Sequence, residues 1–316
     1  MAESTPEKTL ESSPASKSAK ATRLNLFATI LTYAAPSANH HNKGDDNNKV
    51  LQTISKQGRD YPIISPYAIR DALRRILQEE ELPCNRTRVQ TVGAPQVEYK
   101  AFPDAEKYID DFFFGFCVTD KTAIAAYPNV SPKRDSILRN NLAVGLSSDI
   151  NTHLQQAPRN SENSPWNNIS ETTLLYRQVS YTAYQYPFAL SRAKCISKPN
   201  WTKALIRAIA ELSEVAGGNS VSYIQMVPRS IIARLTPRRV PGYNTYGFNQ
   251  EGEFTELGRL IDRELPGEEF WLGGEIVRHM SEEVKRQLEA NKVHLYNNPE
   301  ALLEAVSDRL LAEEDS

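Results

Sequence analysis

Apolar and polar positions along this chain repeat with two periods, and the switches between them outline a core of strands and helices. From Leu24 to Tyr33, Leu26, Ala28 and Ile30 alternate with Asn25, Phe27 and Thr29, the two-residue period of a half-buried strand. From Ser65 to about Leu77 the period lengthens, with Ile69, Ala72, Leu73, Ile76 and Leu77 at the spacing of one helical face. Ser65 suits the N-cap of that helix, and Pro66 suits its first position, where a missing N–H costs nothing. Phe112–Val118 is an unbroken apolar run and is expected to be a central strand buried on both faces. Strands are also expected at Ile137–Leu146 and within the aromatic and β-branched stretch Leu174–Leu190. Asn200–Ala216 reads as a second helix, ended by Gly217 and Gly218. Ser220–Val227 and Ser230–Leu235 follow as strands separated by Pro228, and two or three amphipathic helices close the chain, the last over Pro299–Ala312.

Stripped of its polar insertions, the order is strand, helix, strand, strand, helix, strand. That is an α+β class, the ferredoxin-like βαββαβ arrangement shared with RNA-recognition domains. Residues 1–22 have no apolar periodicity and are expected to be a disordered tail, which leaves 23–316 as a single domain with long insertions. No internal repeat is visible, which excludes a solenoid.

Composition changes this picture only locally. A 316-residue chain with 40% hydrophobic and 24% charged residues can bury a large core. Its net charge of −2 excludes a uniformly basic nucleic-acid binder. The charge is uneven, however. Met226–Tyr243 holds Arg229, Arg234, Arg238 and Arg239 with no acid, whereas from Glu300 to the end six acids stand against Arg309, so one basic surface is compatible with the total. The three cysteines, Cys84, Cys117 and Cys195, are far apart, which suggests a reducing compartment without a disulfide framework or cysteine zinc site. No signal-peptide core and no apolar run of about 18 residues is present, so a cytoplasmic protein is expected.

Candidate chemistry is sparse. Asn39–His40–His41 with Asp45–Asp46 reads as a solvated loop, a backbone-binding loop or a metal site, although no rigid ligand spacing supports the last. Tyr67, Arg70 and Arg74 fall at i, i+3 and i+7 and are expected to face outward, next to a helix N-terminus that favours anions. Lys133, Arg134 and Arg139 form a second basic cluster, equally explained by an ordinary turn. Tyr176, Tyr181, Tyr184, Tyr186 and Phe188 are either base-stacking rings or core. Asp110–Asp111 is rejected as a catalytic pair, because neighbours in a strand point to opposite faces. No Ser-His-Asp, HExxH or Walker-type motif occurs, so neither an enzyme nor a cofactor is expected.

Five blocks carry a specific resemblance: Asn25–His41 (NLFATILTYAAPSANHH), Arg59–Leu77 (RDYPIISPYAIRDALRRIL), Asp110–Phe116 (DDFFFGF), Ser131–Ser148 with Tyr181–Ser191, and Ala216–Leu235. In this order they resemble the DevR-type backbone subunit of type I-B CRISPR Cascade complexes, in the seventh Cas family. The resemblance implies an RNA-recognition-like core with finger insertions near 34–62 and 82–109 and a thumb near 148–175. It implies copies stacked head-to-tail along a crRNA spacer, holding the phosphate-sugar backbone and presenting bases to target DNA beside other Cascade subunits. A heterologous interface of that kind builds an open helix. Complexes of this type serve defence or guide transposition, in which case transposition proteins are also partners. Carried over by position, the RNA-binding residues are Asn39, His40 and Lys49 in the loop, and Ser65, Tyr67, Arg70 and Arg74 at the helix start. Arg134 and Arg139 flank the thumb base, Trp166 is a wedge on the thumb, and Arg229 follows the last core strand. The competing expectation is a type III-like metal-dependent RNA endonuclease, with Asp45, Asp46 or Asp149 as the catalytic aspartate.

Overall fold

The computed structural model describes residues 23–40, 48–89, 96–156, 174–215 and 225–312. Expectations for the tail 1–22, for His41, Asp45 and Asp46, for the outer thumb with Trp166, and for Gly217–Gly218 therefore lie outside the described residues.

The first strand, β1 (Asn25–Thr32), is succeeded by short β2 (Ala35–Ser37) and β3 (Asn48–Lys49) and by the hairpin β4 (Thr53–Lys56) and β5 (Arg59–Ile64). Helix α1 (Pro66–Glu79) begins as expected, with the Ser65 hydroxyl accepting from the Ala68 N–H at 3.2 Å. A second small hairpin, β6 (Arg86–Val89) and β7 (Gln96–Tyr99), precedes α2 (Ile109–Phe114), β8 (Phe116–Cys117), α3 (Lys121–Ala126) and β9 (Lys133–Arg134). Then come β10 (Arg139–Asn140), β11 (Ala143–Gly145), the long hairpin β12 (Ile150–Gln156) and β13 (Leu174–Thr182), and β14 (Tyr184–Ser191). Helices α4 (Arg192–Cys195) and α5 (Pro199–Ala210) lead to β15 (Pro228–Thr236). The remainder contains α6 (Leu257–Ile261), β16 (Phe270–Gly274), α7 (Glu275–Arg278), α8 (Glu282–Ala290), β17 (His294–Tyr296) and α9 (Pro299–Leu311).

The main sheet runs β17-β16-β15-β1-β14-β11-β5-β4, with β10 also on β14. At its centre β1 lies between β14 and β15, antiparallel to both, and β10 and β11 lie outside β14. Two apolar layers enclose this sheet. One face carries Leu26, Ala28, Ile30, Tyr186, Phe188, Ile231 and Ala233 against Leu73 of α1, Leu205 and Ile209 of α5, and Val306 of α9. The opposite face carries Leu31 and Ile232 against Tyr243, Phe248, Phe254 and Leu260. Both faces of β1 are thus covered, and Thr29, expected to face water, is fully buried.

The apolar run at Phe112 is not a strand. A continuous apolar stretch is compatible with a strand or a buried helix, and here Ile109, Phe112 and Phe113 form one helical face of α2. Gly115, at φ 65°, terminates that helix. The expected strand at Ile137–Leu146 is reduced to β10 and β11, and pairing begins only at Arg139, because the N–H groups of Ile137 and Leu138 both donate to the Phe113 carbonyl rather than to a neighbouring strand. Helix α5 stops at Ala210, earlier than expected. Pro228 is the first residue of β15, a position that needs no ladder N–H, and of the strand expected over Ser220–Val227 only 225–227 are described and are not in a strand. Strands β4, β5, β16 and β17 were not foreseen.

Candidate nucleic-acid interface

Two groups of the expected site residues come together on the structure. The first is built at the root of the β12–β13 hairpin. The His40 Nε2 contacts the Gln178 carbonyl at 2.9 Å, and the Leu51 N–H donates to the Gln178 side chain at 3.0 Å. Lys49 pairs in parallel register with Arg177, which sequence reasoning missed because nothing in an alternating strand marks one arginine as special. Burial draws the His40 imidazole below its ordinary value, and the nearby Arg177 and Lys49 charges push the same way against the Gln178 hydrogen bond. The imidazole therefore sits beside two cations, which make the hairpin root locally positive. Asn39 is buried and its amide is used structurally, donating to the Ile63 carbonyl at 2.8 Å. That bond ties the loop to the strand that leads into α1.

The second group surrounds the start of α1. Tyr67 projects from the first turn with 79% of its surface exposed. One turn on, Arg70 donates to Asn140 Oδ1 at 2.8 Å and to the Leu138 carbonyl at 3.1 Å, which fixes its stem against β10. Arg139 is exposed beside it, with a 3.7 Å contact to exposed Asp135. A solvated pair of that kind contributes little and leaves Arg139 available. Arg134 sits on β9 with its guanidinium 5.5 Å from the Phe112 ring centre, and its buried Nε has no hydrogen-bond partner among the described residues.

Arg74 does not face outward. Its side chain is buried, with Nε 3.2 Å from Asp110 and an amino nitrogen 3.1 Å from Asp71. Asp110 is fully buried and also accepts from Arg86 Nε at 3.1 Å and from the Asn85 N–H at 2.7 Å. Asp111, equally buried, accepts from the Asn85 amide at 2.8 Å and the Asp104 N–H at 3.0 Å. Burial raises its carboxyl above the usual range, opposed by the Asn85 hydrogen bond. The two aspartates share one helix rather than opposite faces of a strand, and their partners make them a clamp between α1 and the 84–116 segment. Arg86 was missed, since no local pattern shows which arginine will meet a buried acid.

Arg229 is likewise engaged, with two hydrogen bonds of 2.8 and 2.6 Å to Glu275. Those bonds hold the Glu275 carboxyl below its usual range. Tyr184, Tyr186 and Phe188 are core, whereas Tyr176 and Tyr181 are 47% and 62% exposed. Asp149 is exposed and accepts from the Ser147 hydroxyl at 2.8 Å. Among the described residues no cluster of three or more His, Cys, Asp or Glu could hold a metal ion, and no helix is long and apolar enough to cross a membrane.

The chain is similar to the CRISPR-associated protein Cas7/Cst2/DevR of Myxococcus xanthus (strain DK1622). The two are 27% identical over 288 residues, which cover 86% of this chain and 93% of that relative. No family model matches. Among solved structures, a chain of a CRISPR RNA-guided surveillance complex in a pre-nicking state matches with TM-score 0.61 and 11% identity, covering 90% of this chain and 100% of that one. A chain of a second such surveillance complex matches with TM-score 0.56 and 12% identity, covering 90% and 99%. The mixed α+β fold is thereby shared with these two chains.

Proposed function

We propose that this chain is a Cas7-type backbone subunit of a CRISPR surveillance complex that binds the phosphate-sugar backbone of a guide RNA. The observation that carries the reading is the similarity to Cas7/Cst2/DevR along 86% of the chain, joined to a shared fold. The strand order supports its finer part. Counting β1, the β10–β11 pieces, β14 and β15 as the four core strands, their spatial order is fourth, first, third, second, with α1 and α5 as crossovers. That order is the one a split βαβ, RNA-recognition-like core would have, and it supports this reading.

In this reading the RNA lies along Lys49, His40 and Arg177 at the hairpin root and along Tyr67, Arg70 and Arg139 at the start of α1. Cations and amides that read backbone rather than base edges suit a guide whose sequence varies. Ser65 acts by shaping the helix start, and Arg74, Asn39 and Arg229 act through folding. The β12–β13 hairpin serves as the thumb, Trp166 as its wedge, and copies stack head-to-tail so that exposed bases pair with target DNA. The type I-B branch is the one the sequence blocks favour, with a binding rather than a cleaving role. Its neighbours decide whether the complex serves defence or transposition.

Co-expression with guide RNAs of two lengths and two unrelated sequences tests this. The expected result is a ribonucleoprotein whose mass rises with guide length and does not depend on guide sequence. A protein that stays monomeric with every guide would overturn the proposal. Regularly spaced, metal-dependent cuts in a complementary RNA would replace it with the endonuclease reading.

A further inference from the structure

The sheet face that carries Leu31 and Ile232 is covered by the chain around Tyr243–Leu260, but the cover stops before the β11-β5-β4 edge. A trough opens there. Its apolar end, about 660 Å³, is walled by Ile54, Tyr61, Val144, Tyr246 and Phe248. Its polar end, about 300 Å³, is walled by Arg59, Ser147, Asp149 and Tyr181. Leu146 and Gln250 line both ends, so the two adjoin.

The trough is preformed. The Tyr246 hydroxyl donates to the Leu142 carbonyl at 2.7 Å, and the Gln185 amide exchanges hydrogen bonds of 3.2 and 3.1 Å with the Phe248 backbone. One wall is locally unfavourable by itself. Lys56 and Arg59 stand directly opposite each other across the β4–β5 ladder, joined by the tight turn Gln57–Gly58 with φ of 53° and 74°. Like charges at directly opposed positions destabilise a hairpin. Neither side chain has an ion pair or hydrogen bond within the described residues. Lys56 lines the apolar end and Arg59 the polar end, so the uncompensated pair straddles the junction. Glu251 and Asp149 also line the trough, and with Asn249 and Gln250 they offer acceptors and donors suited to ring edges and ribose hydroxyls.

A flat ring, a hydroxylated middle and an anionic group define a nucleotide. We propose that this trough holds one nucleotide, its base against Tyr61, Val144 and Tyr246 and its phosphate between Lys56 and Arg59. The inference deepens the guide-RNA reading and rests on it for the source of a strand-borne nucleotide; a free mononucleotide is the other source of the same chemistry.

The test uses the full chain with guide RNAs carrying 2-aminopurine at one position at a time, and in parallel titrates AMP and UMP. Expected is quenching at one recurring position per protein copy, lost in Val144→Trp, which fills the floor, while the guide is still bound. The double variant Lys56→Glu with Arg59→Glu lies on an exposed hairpin, so it keeps the test open if Val144→Trp misfolds. It removes charge-assisted phosphate contacts, and quenching should be lost or weakened by about tenfold in concentration. Saturable mononucleotide binding that both variants abolish supports the site with the free ligand as its source. Quenching that is uniform along the guide, or unchanged in both variants, with no mononucleotide binding, overturns the inference. In that case guide binding itself can still stand, and its failure in wild type is read separately as the absence of any ribonucleoprotein.

Discussion

Asp110 collects hydrogen bonds from Arg74, Arg86 and two backbone N–H groups while fully excluded from water. The pairing does not need to add net stability to matter, because a buried ion pair can cost as much desolvation as it returns. Removing one member is different. Asp110→Ala removes the buried carboxylate that two guanidinium groups share, leaving Arg74 to Asp71 and Arg86 to Asp111, and a loss of about 3 kcal/mol in urea unfolding is expected. Cys84 offers a local readout. It is buried against the Arg74 carbonyl, and burial pushes its thiol up to about 12, so in the native protein it should resist a thiol reagent. Cys195 is also buried with its thiol pushed up to about 11, whereas Cys117 is exposed. Native wild type should therefore show one fast thiol, and Asp110→Ala should add Cys84 as a second; a second fast thiol in wild type would contradict the packing described. At this scale Ser65 was legible in advance, since capping is a matter of neighbours in sequence. The fate of Arg74 was not, because helical spacing places it on a flank but does not reveal the acid that meets it.

Elements show the same division. Helix α1 follows from its cap and its apolar face, and β1 from its alternation. The run at Phe112 could have been strand or helix, and the choice rests on a single residue that ends the helix and on what packs there. Gly115 has φ 65° and ψ −178°, a combination open essentially to glycine, and a Cβ there would run into the Arg134 carbonyl oxygen. Gly115→Ala should thus destabilise the protein by about 2–4 kcal/mol, measured by thermal or urea unfolding. A neutral result would mean that the turn between α2 and β8 relaxes freely. The same segment carries the Phe113 carbonyl that ends strand pairing before β10, so loosening it should be felt in β9 and β10 as faster amide exchange.

Across the whole molecule, the C-terminal part is not an appendage. Strands β16 and β17 extend the sheet beyond β15, and the segment around Tyr243–Phe254 covers the sheet face opposite α1, α5 and α9. Gln185 of β14 anchors that cover by satisfying both the N–H and the carbonyl of Phe248. Gln185→Leu leaves both unpaired and should cost about 2 kcal/mol, with the 243–254 segment exchanging amide protons before the helices do. Simultaneous loss throughout the protein would show the cover and core to be one cooperative unit.

What the sequence determined by itself is what neighbours within a turn or a strand decide: the capped start of α1, the period of β1, the apolar face of α5 and the paired aromatic strands near Tyr181. Five ordered blocks also carry, by sequence alone, a resemblance to the Cascade backbone family. Tertiary structure alone decided that Arg74 is buried against Asp110, that Phe112 is helical, that Arg177 stands beside Lys49, and that one sheet face is closed except for a trough at its edge. Each of these joins residues tens to hundreds of positions apart. Their chemistry depends on which partner is met once water is excluded, and no local pattern of polar and apolar residues carries that information.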